Sequence, residues 1–207
     1  MHQTRSETIT RLPIRRKGTK YIARALHAHK NAVPVVIAVR EMLSLARTAK
    51  EVKEMIKDKL VQINGRLVYD YREPVQLFNV LSIGGKSYVL GISETAKFIF
   101  SETKETKKRL CKIVGKKLLN NNQLQINLHD GSNLVGKKEM KTNDSLYLDE
   151  KGKVVKHVPI SSAKEVIVMS GKYIGQHGTI KSIKENAAEI SFKEGSALLP
   201  LRNIIAL

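Results

Sequence analysis

The spacing of apolar positions changes along the chain. Over VPVVIAVREMLSLA, Val36, Val39, Leu43 and Ala46 recur at intervals of three and four. That spacing predicts an amphipathic helix with Pro34 in its first turn. Thr48 and Glu51 of TAKE form a capping box that opens a second helix. Val52, Met55 and Ile56 make its apolar face, and Lys50, Lys53 and Lys57 lie on the opposite one. The period then falls to two. Val61 and Ile63 alternate, Asn64-Gly65 turns, and Leu67 continues, which is the signature of a tight hairpin. EPVQLFNVLSIGG predicts a strand with Pro74 at its start and a Gly84-Gly85 turn after it.

From 86 to about 163 the runs SYVLGI, KFIF, LCKIVGKKL, QLQINLHDGSNL, SLYLD and KVVKHVPI are short and strand-like. They are separated by turns at Asn120-Asn121-Asn122, Asp130-Gly131 and Lys151-Gly152. Strands at this density predict a small barrel or curled sheet. The last part, KEVIVMSGKYIGQHGTIKSIKENAAEISF, again alternates strand and turn. The fold class is therefore α+β and multidomain. Its parts are a basic extension (1–32), a helix-helix-hairpin module (33–85), a β-rich central domain (86–163) and a C-terminal segment (164–207).

Charge adds a partner to this picture. Among 207 residues, 37 are basic and 19 acidic, a net charge of +18. Such an excess calls for a polyanion, and nucleic acid is the first candidate because each neutralised phosphate releases counterions. Without a long apolar run or an apolar N-terminus, neither a spanning helix nor a secretory signal is expected. Residues 1–40 hold nine basic residues and one acid, Glu7. Their first part, TRLPIRRKGTKYIAR, has no period and reads as an extended basic arm. Leu12, Ile14, Tyr21, Ile22 and Leu26 interrupt its charge, which a purely solvating tail has no use for. The arm is expected to order on a polyanion. The lysine stripe of the second helix would be a solvated face on a lone helix, but here it lies beside that arm.

Candidate chemistry is sparse. The single cysteine, Cys111, excludes an internal disulfide and a Cys-rich zinc site, and it reads as a small buried hydrophobe. On an extended segment His27 and His29 can share a metal, but surface or RNA-facing histidines are the better reading. No ordered Ser-His-Asp or Cys-His set and no carboxylate pair in an apolar setting occurs. GKYIGQHGTI raises the question of a phosphate-cradling loop. A Walker loop needs GxxxxGK[ST], and a dinucleotide loop needs GxGxxG ahead of a helix. This stretch has neither spacing, and its flanks alternate as strands.

Three segments resemble known modules. Two helices followed by a strand reaching INGR and Asp70 resemble the S4-type RNA-binding fold. VIVMSGKYIGQHGTI resembles the KOW motif of a small SH3-like barrel, with Gly171, Gly175, Gly178 and Ile180 at its glycine and apolar places. These glycines, like Asn64 and Gly65, are expected to serve turns with positive φ and close backbone approach. Each reads equally as a bare turn or as an RNA contact. In this order, with LPIRRKGTKYIAR before them and LCKIVGKK and QINLHDGSNL between them, the whole chain resembles the small-subunit ribosomal protein family S4e of archaea and eukaryotes.

The resemblance implies a structural, non-catalytic protein of the small ribosomal subunit, bound to the ribosome in the cytoplasm. Its partners would be small-subunit rRNA and neighbouring ribosomal proteins, with no cofactor, metal, membrane or small-molecule substrate. The RNA-facing residues would be Arg5, Arg11, Arg15, Arg16, Lys17, Lys20 and Arg24 of the arm. Arg40, Arg47, Lys50, Lys53, Lys57 and Arg66 would follow from the helical module, and Lys172, Tyr173 and His177 from the C-terminal loop. Recognition would rest on RNA shape, because side chains cannot read the deep major groove of A-form RNA. Two other readings compete. An RNA-modifying enzyme with an S4-type appendage needs a catalytic domain or cofactor loop, and the middle segment shows neither. A KOW-type transcription factor leaves the basic arm and the helical module unexplained.

Overall fold

The computed structural model describes residues 2–28, 31–104, 108–119, 123–136, 140–193 and 195–207. The Asn120–Asn122 turn, His29 and Lys30 lie outside them. The fold is strand-rich with few helices, and its sheets are antiparallel. Two compact units are present, Met1–Ile92 with Lys97–Lys107, and Ser93–Ala96 with Lys108–Leu207.

In the first unit, strand Ala32–Pro34 pairs with Pro74–Gln76 and leads straight into a helix at Val35. Pro34 caps this helix and does not sit within its first turn. Val35 through Val39 are all buried, because the run AVPVVIAV offers no polar face to water. The helix is shorter than the apolar spacing predicts. From Ala38 to Met42 its turns widen, with the Leu43 N–H bonded to the Ala38 carbonyl, and at Ser44 the backbone enters the left-handed region at φ 54°. A left-handed residue ends a helix, so Leu45 and Ala46 fall outside it.

The second helix, Ala49–Lys57, starts where TAKE places it. Its Glu51 N–H donates to Thr48 Oγ1 at 3.2 Å, and Glu51 Oε2 accepts the Arg47 N–H at 2.8 Å. The Arg47 N–H, together with the Thr48 hydroxyl donating to Glu51 Oε1 at 2.9 Å, holds the Glu51 carboxyl below the usual carboxylate range. Strands Val61–Ile63 and Arg66–Leu67 turn through Asn64 and Gly65, at φ 52° and 78°. Strands Val80–Ile83, Lys86–Ile92 and Phe98–Glu102 extend the same five-stranded sheet. Residues 86–102, read from sequence with the middle segment, thus belong to the same sheet as the hairpin, with Lys86–Ile92 pairing with Val80–Ile83 and Phe98–Glu102 at the edge.

The first segment is not the extended arm that its lack of period predicts. His2–Thr4 pairs with Tyr21–Ala23, and the chain between them closes as a loop. Two of the apolar residues that interrupt the charge, Leu12 and Ile22, are buried, as is Ala25, whereas Tyr21 and Leu26 stay exposed. Arg5 staples the loop from inside. It donates from Nε to the Thr19 carbonyl at 2.9 Å, from Nη2 to Thr19 Oγ1 at 3.2 Å, and from Nη1 to the Arg15 carbonyl.

The second unit holds two five-stranded sheets. The first has strand order Asn133–Gly136, Leu124–Leu128, Lys108–Leu118, Ser145–Asp149, Val154–Val158. Cys111, Ile113, Ile126, Leu128, Leu146 and Leu148 pack as its core. Burial pushes the Cys111 thiol up, which keeps it protonated and unreactive. The second sheet has the order Gly195–Pro200, Ala187–Phe192, His177–Lys184, Glu165–Val168, Ile204–Ala206. Lys112 joins the two sheets. Its side chain is buried, and its Nζ donates to the carbonyls of Leu201 and Ile204, both at 2.6 Å. Ser145 Oγ accepts the Ala206 N–H at 3.0 Å beside it.

Candidate nucleic-acid interface

The helix Ala49–Lys57 buries Val52 and exposes Lys50, Lys53 and Lys57 along one side. Lys53 does not stand free in solvent. Its Nζ lies 4.8 Å from the centre of the Tyr71 ring, and the Arg72 guanidinium lies 5.4 Å from the same ring. A cation over an aromatic face gains about 0.5–1 kcal/mol at exposed sites. Arg72 is also fixed by Asp70, with Nη2 to Oδ2 at 2.8 Å, and that guanidinium lowers the Asp70 pKa. Arg47, the residue before the cap, is exposed.

Arg66 is tied down by Glu73, whose Oε2 accepts from Arg66 Nη2 at 2.5 Å. Glu73 is buried, and its Oε1 also accepts the backbone N–H groups of Tyr69 and Asp70 at 2.8 and 3.2 Å. Arg40 is forked onto Glu41 at 2.8 and 3.0 Å.

In the N-terminal loop, Arg15, Arg16, Lys17 and Lys20 are exposed. They line a concavity of about 660 Å³ together with Arg5, Lys97 and the hydroxyls of Thr4, Ser6, Thr8, Thr10 and Thr19. Arg5 spends its donors inside the loop, and Arg11 donates to Asn31 Oδ1 at 3.0 Å. Arg24 is half-buried, and its charge helps to lower the pKa of Glu7, behind the hydrogen bonds Glu7 receives from Thr4.

At the C-terminal loop, Lys172 and His177 are exposed, with Lys172 Nζ 5.7 Å from the Tyr173 ring centre. The Tyr173 ring stacks on Phe192 with centres 5.1 Å apart and planes 11° apart, against the C-terminal core. Gly171 and Gly175 have φ of 100° and 80°. A Cβ on Gly175 would lie 2.1 Å from the Ser93 carbonyl oxygen, so that position requires glycine twice over. Gly178 differs from the turn expected of it. It lies inside the strand His177–Lys184, outside the positive-φ residues, and a Cβ there would lie 2.5 Å from Ile190 Cγ2 and 2.7 Å from the Ser191 carbonyl oxygen. Close approach of the neighbouring strand, and not left-handed backbone, demands this glycine.

The aromatic-basic cluster of Tyr71, Arg72 and Lys53, and the carboxylate that anchors it, escape the sequence reading. The available signal was YDYRE, in which aromatic and charged residues alternate directly after the hairpin. Among the described residues no group of His, Cys, Asp and Glu is arranged to hold a metal ion, and no helix is long and apolar enough to cross a membrane.

Comparison with known proteins agrees with this architecture. The model of the ribosomal family S4e matches residues 84–155. Small ribosomal subunit protein eS4 of Archaeoglobus fulgidus is 33% identical over 189 residues, covering 89% of this chain and 80% of its own length. Its counterpart in Methanocella arvoryzae is 31% identical over 178 residues, covering 83% and 76%. The crystal structure of the 30S ribosomal protein S4e from Thermoplasma acidophilum superimposes with a TM-score of 0.74 at 21% identity, over 86% of this chain and 95% of that one. The last likeness speaks to the fold, whereas the relatives, matched along most of both chains, carry the family. The chain belongs to the ribosomal protein family S4e.

Proposed function

We propose that this chain is a structural constituent of the small ribosomal subunit, and that it binds and stabilises folded small-subunit rRNA through its basic surfaces. The observation that carries this reading is the lysine stripe on helix Ala49–Lys57, exposed beside Tyr71 and Arg72 in a chain of net charge +18. Lys50, Lys53, Lys57 and Arg47 form one phosphate-binding face, and Arg15, Arg16, Lys17 and Lys20 form a second on the N-terminal loop. Lys172 and His177 add a third, smaller contact. Arg5, Arg11, Arg40 and Arg66 already have partners within the chain, so their part is to shape these surfaces. Tyr173 supports its loop from the core side.

The helices and hairpin of 33–85 act as an S4-type module, 86–163 as the central domain and 164–207 as an SH3-like KOW barrel. Neighbouring ribosomal proteins complete the partners, and the chain works on the ribosome in the cytoplasm. Its role is scaffolding, not catalysis. Sedimentation tests the reading: the protein should travel with small subunits through a moderate-salt wash. Release into the free fraction under that wash would contradict it.

A further inference from the structure

The geometry points to Tyr69 as a stacking platform for an unpaired RNA base, an inference that rests on the RNA-binding reading above. Tyr69 is 77% exposed, although the loop that carries it is fastened at nearly every residue. The Val68 N–H donates to the Val61 carbonyl at 3.2 Å, and the Glu73 N–H to the Asp70 carbonyl at 2.9 Å. The Arg72 N–H donates to Asp70 Oδ1 at 2.8 Å. The carbonyls of Tyr71, Arg72 and Glu73 accept from Val36, Leu26 and Val35 at 2.9, 3.1 and 3.0 Å. Glu73, 7% exposed, holds the N–H groups of Tyr69 and Asp70 on one oxygen while Arg66 binds the other. A buried carboxylate is costly unless it is paired and hydrogen-bonded. Here it is fully engaged, and its effect is to fix the backbone from which the Tyr69 ring projects.

An exposed ring on a backbone held by these bonds suits recognition. Tyrosine freezes only two side-chain torsions on binding. Charge on this segment and on the helix it meets at Lys53 bears on the choice of partner. Arg66 sits on the same carboxylate as the Tyr69 N–H, and two residues further on Lys53 and Arg72 flank the Tyr71 ring. Asp70, the nearby acid, is taken up by Arg72. The apolar neighbour in sequence, Val68, is buried and adds no apolar surface of its own beside the ring. In a chain of net charge +18, an exposed aromatic face suits a nucleobase, whose phosphates the basic surface attracts. In an A-form duplex each base face is covered by its neighbours, so the base that stacks on Tyr69 must be unpaired.

The test titrates the full chain with two RNAs, a plain duplex and the same duplex interrupted by an unpaired adenine tract. Tyr69→Ala should lose roughly five- to a hundred-fold in affinity for the interrupted RNA and little for the plain duplex. Tyr69→Phe should keep both affinities. The slope of log affinity against log salt should not change in Tyr69→Ala, because no phosphate contact is removed. Since the chain has no Trp, Tyr69→Trp introduces a unique fluorophore, which should be quenched by the interrupted RNA alone. If wild type and Tyr69→Ala bind the interrupted RNA equally, Tyr69 stacks on no base and the inference is overturned. If the wild-type chain binds neither RNA, the RNA-binding reading itself falls and takes this inference with it.

Discussion

Replacing Lys112 by Met tests how the two sheets of the second unit are joined. The side chain is 3% exposed, and its ammonium donates to the carbonyls of Leu201 and Ile204 at 2.6 Å each. Burial pushes its pKa from an ordinary 10.5 down to about 8. A shift of this size corresponds to about 3 kcal/mol of differential cost for the charged form. The folded pKa lies below the unfolded one. Between about pH 8 and 10.5 the unfolded chain therefore holds a proton that the folded chain has released. Stability rises with pH across that window by up to about 3 kcal/mol, and it is lost again as pH falls through 8. Met has a similar volume and no proton to titrate, but it strands two carbonyls, at about 1–3 kcal/mol each. Relief of the buried charge offsets most of that loss at neutral pH. The variant should then be less stable by about 1 kcal/mol at neutral pH and by about 4 kcal/mol near the upper end of the window. Urea denaturation of both proteins across this range reads the gap directly. Taking the difference cancels the titration of every other lysine. A gap that stays constant with pH would mean that burial does not hold the Lys112 pKa down.

Further expectations follow from the same contacts. Gly178→Ala should destabilise the second unit by about 1–3 kcal/mol, since its Cβ would press on Ile190 and the Ser191 carbonyl; an unchanged melting temperature would remove the close-approach argument. Thr48→Ala should cost about 1 kcal/mol by loss of the helix cap, measured by chemical denaturation. Arg5→Ala should open the N-terminal loop and speed tryptic cleavage at Arg15, Arg16 and Lys17, whereas an unaltered cleavage rate would mean that the staple holds nothing. Lys172→Ala should shift stability by less than about 0.5 kcal/mol, and the unaltered chain should give no saturable signal when titrated with ATP.

Features governed by neighbouring residues were legible in the sequence. Thr48 caps a helix because Glu51 lies three residues on, and Asn64-Gly65 turns because both positions accept positive φ. The strand runs of the middle and the C-terminal part likewise follow from alternation. What stayed hidden depends on residues far apart in the chain. The N-terminal loop closes because Arg5 finds the carbonyl of Thr19, a pairing with no period to reveal it. Arg66 is occupied because Glu73 is folded back beneath it. The first helix stops at Ser44, a residue whose type gives no warning of left-handed backbone. Gly178 reads as a turn glycine from its spacing, yet its constraint comes from Ile190 and Ser191 on the adjacent strand. The stripe of Lys50, Lys53 and Lys57 was plain from helical spacing, whereas Tyr71 and Arg72 reach it only through the tertiary fold.

The most direct test of the account is the salt dependence of binding to folded small-subunit rRNA, measured for the wild-type chain and for Lys50→Gln/Lys53→Gln/Lys57→Gln. Each lost phosphate contact should reduce the slope of log affinity against log salt by roughly 0.7–0.9, so the triple variant should bind more weakly and with a slope flatter by roughly two to three units. A triple variant with the wild-type affinity and slope would contradict the central claim, leaving the lysine stripe as a solvated face with no part in holding RNA.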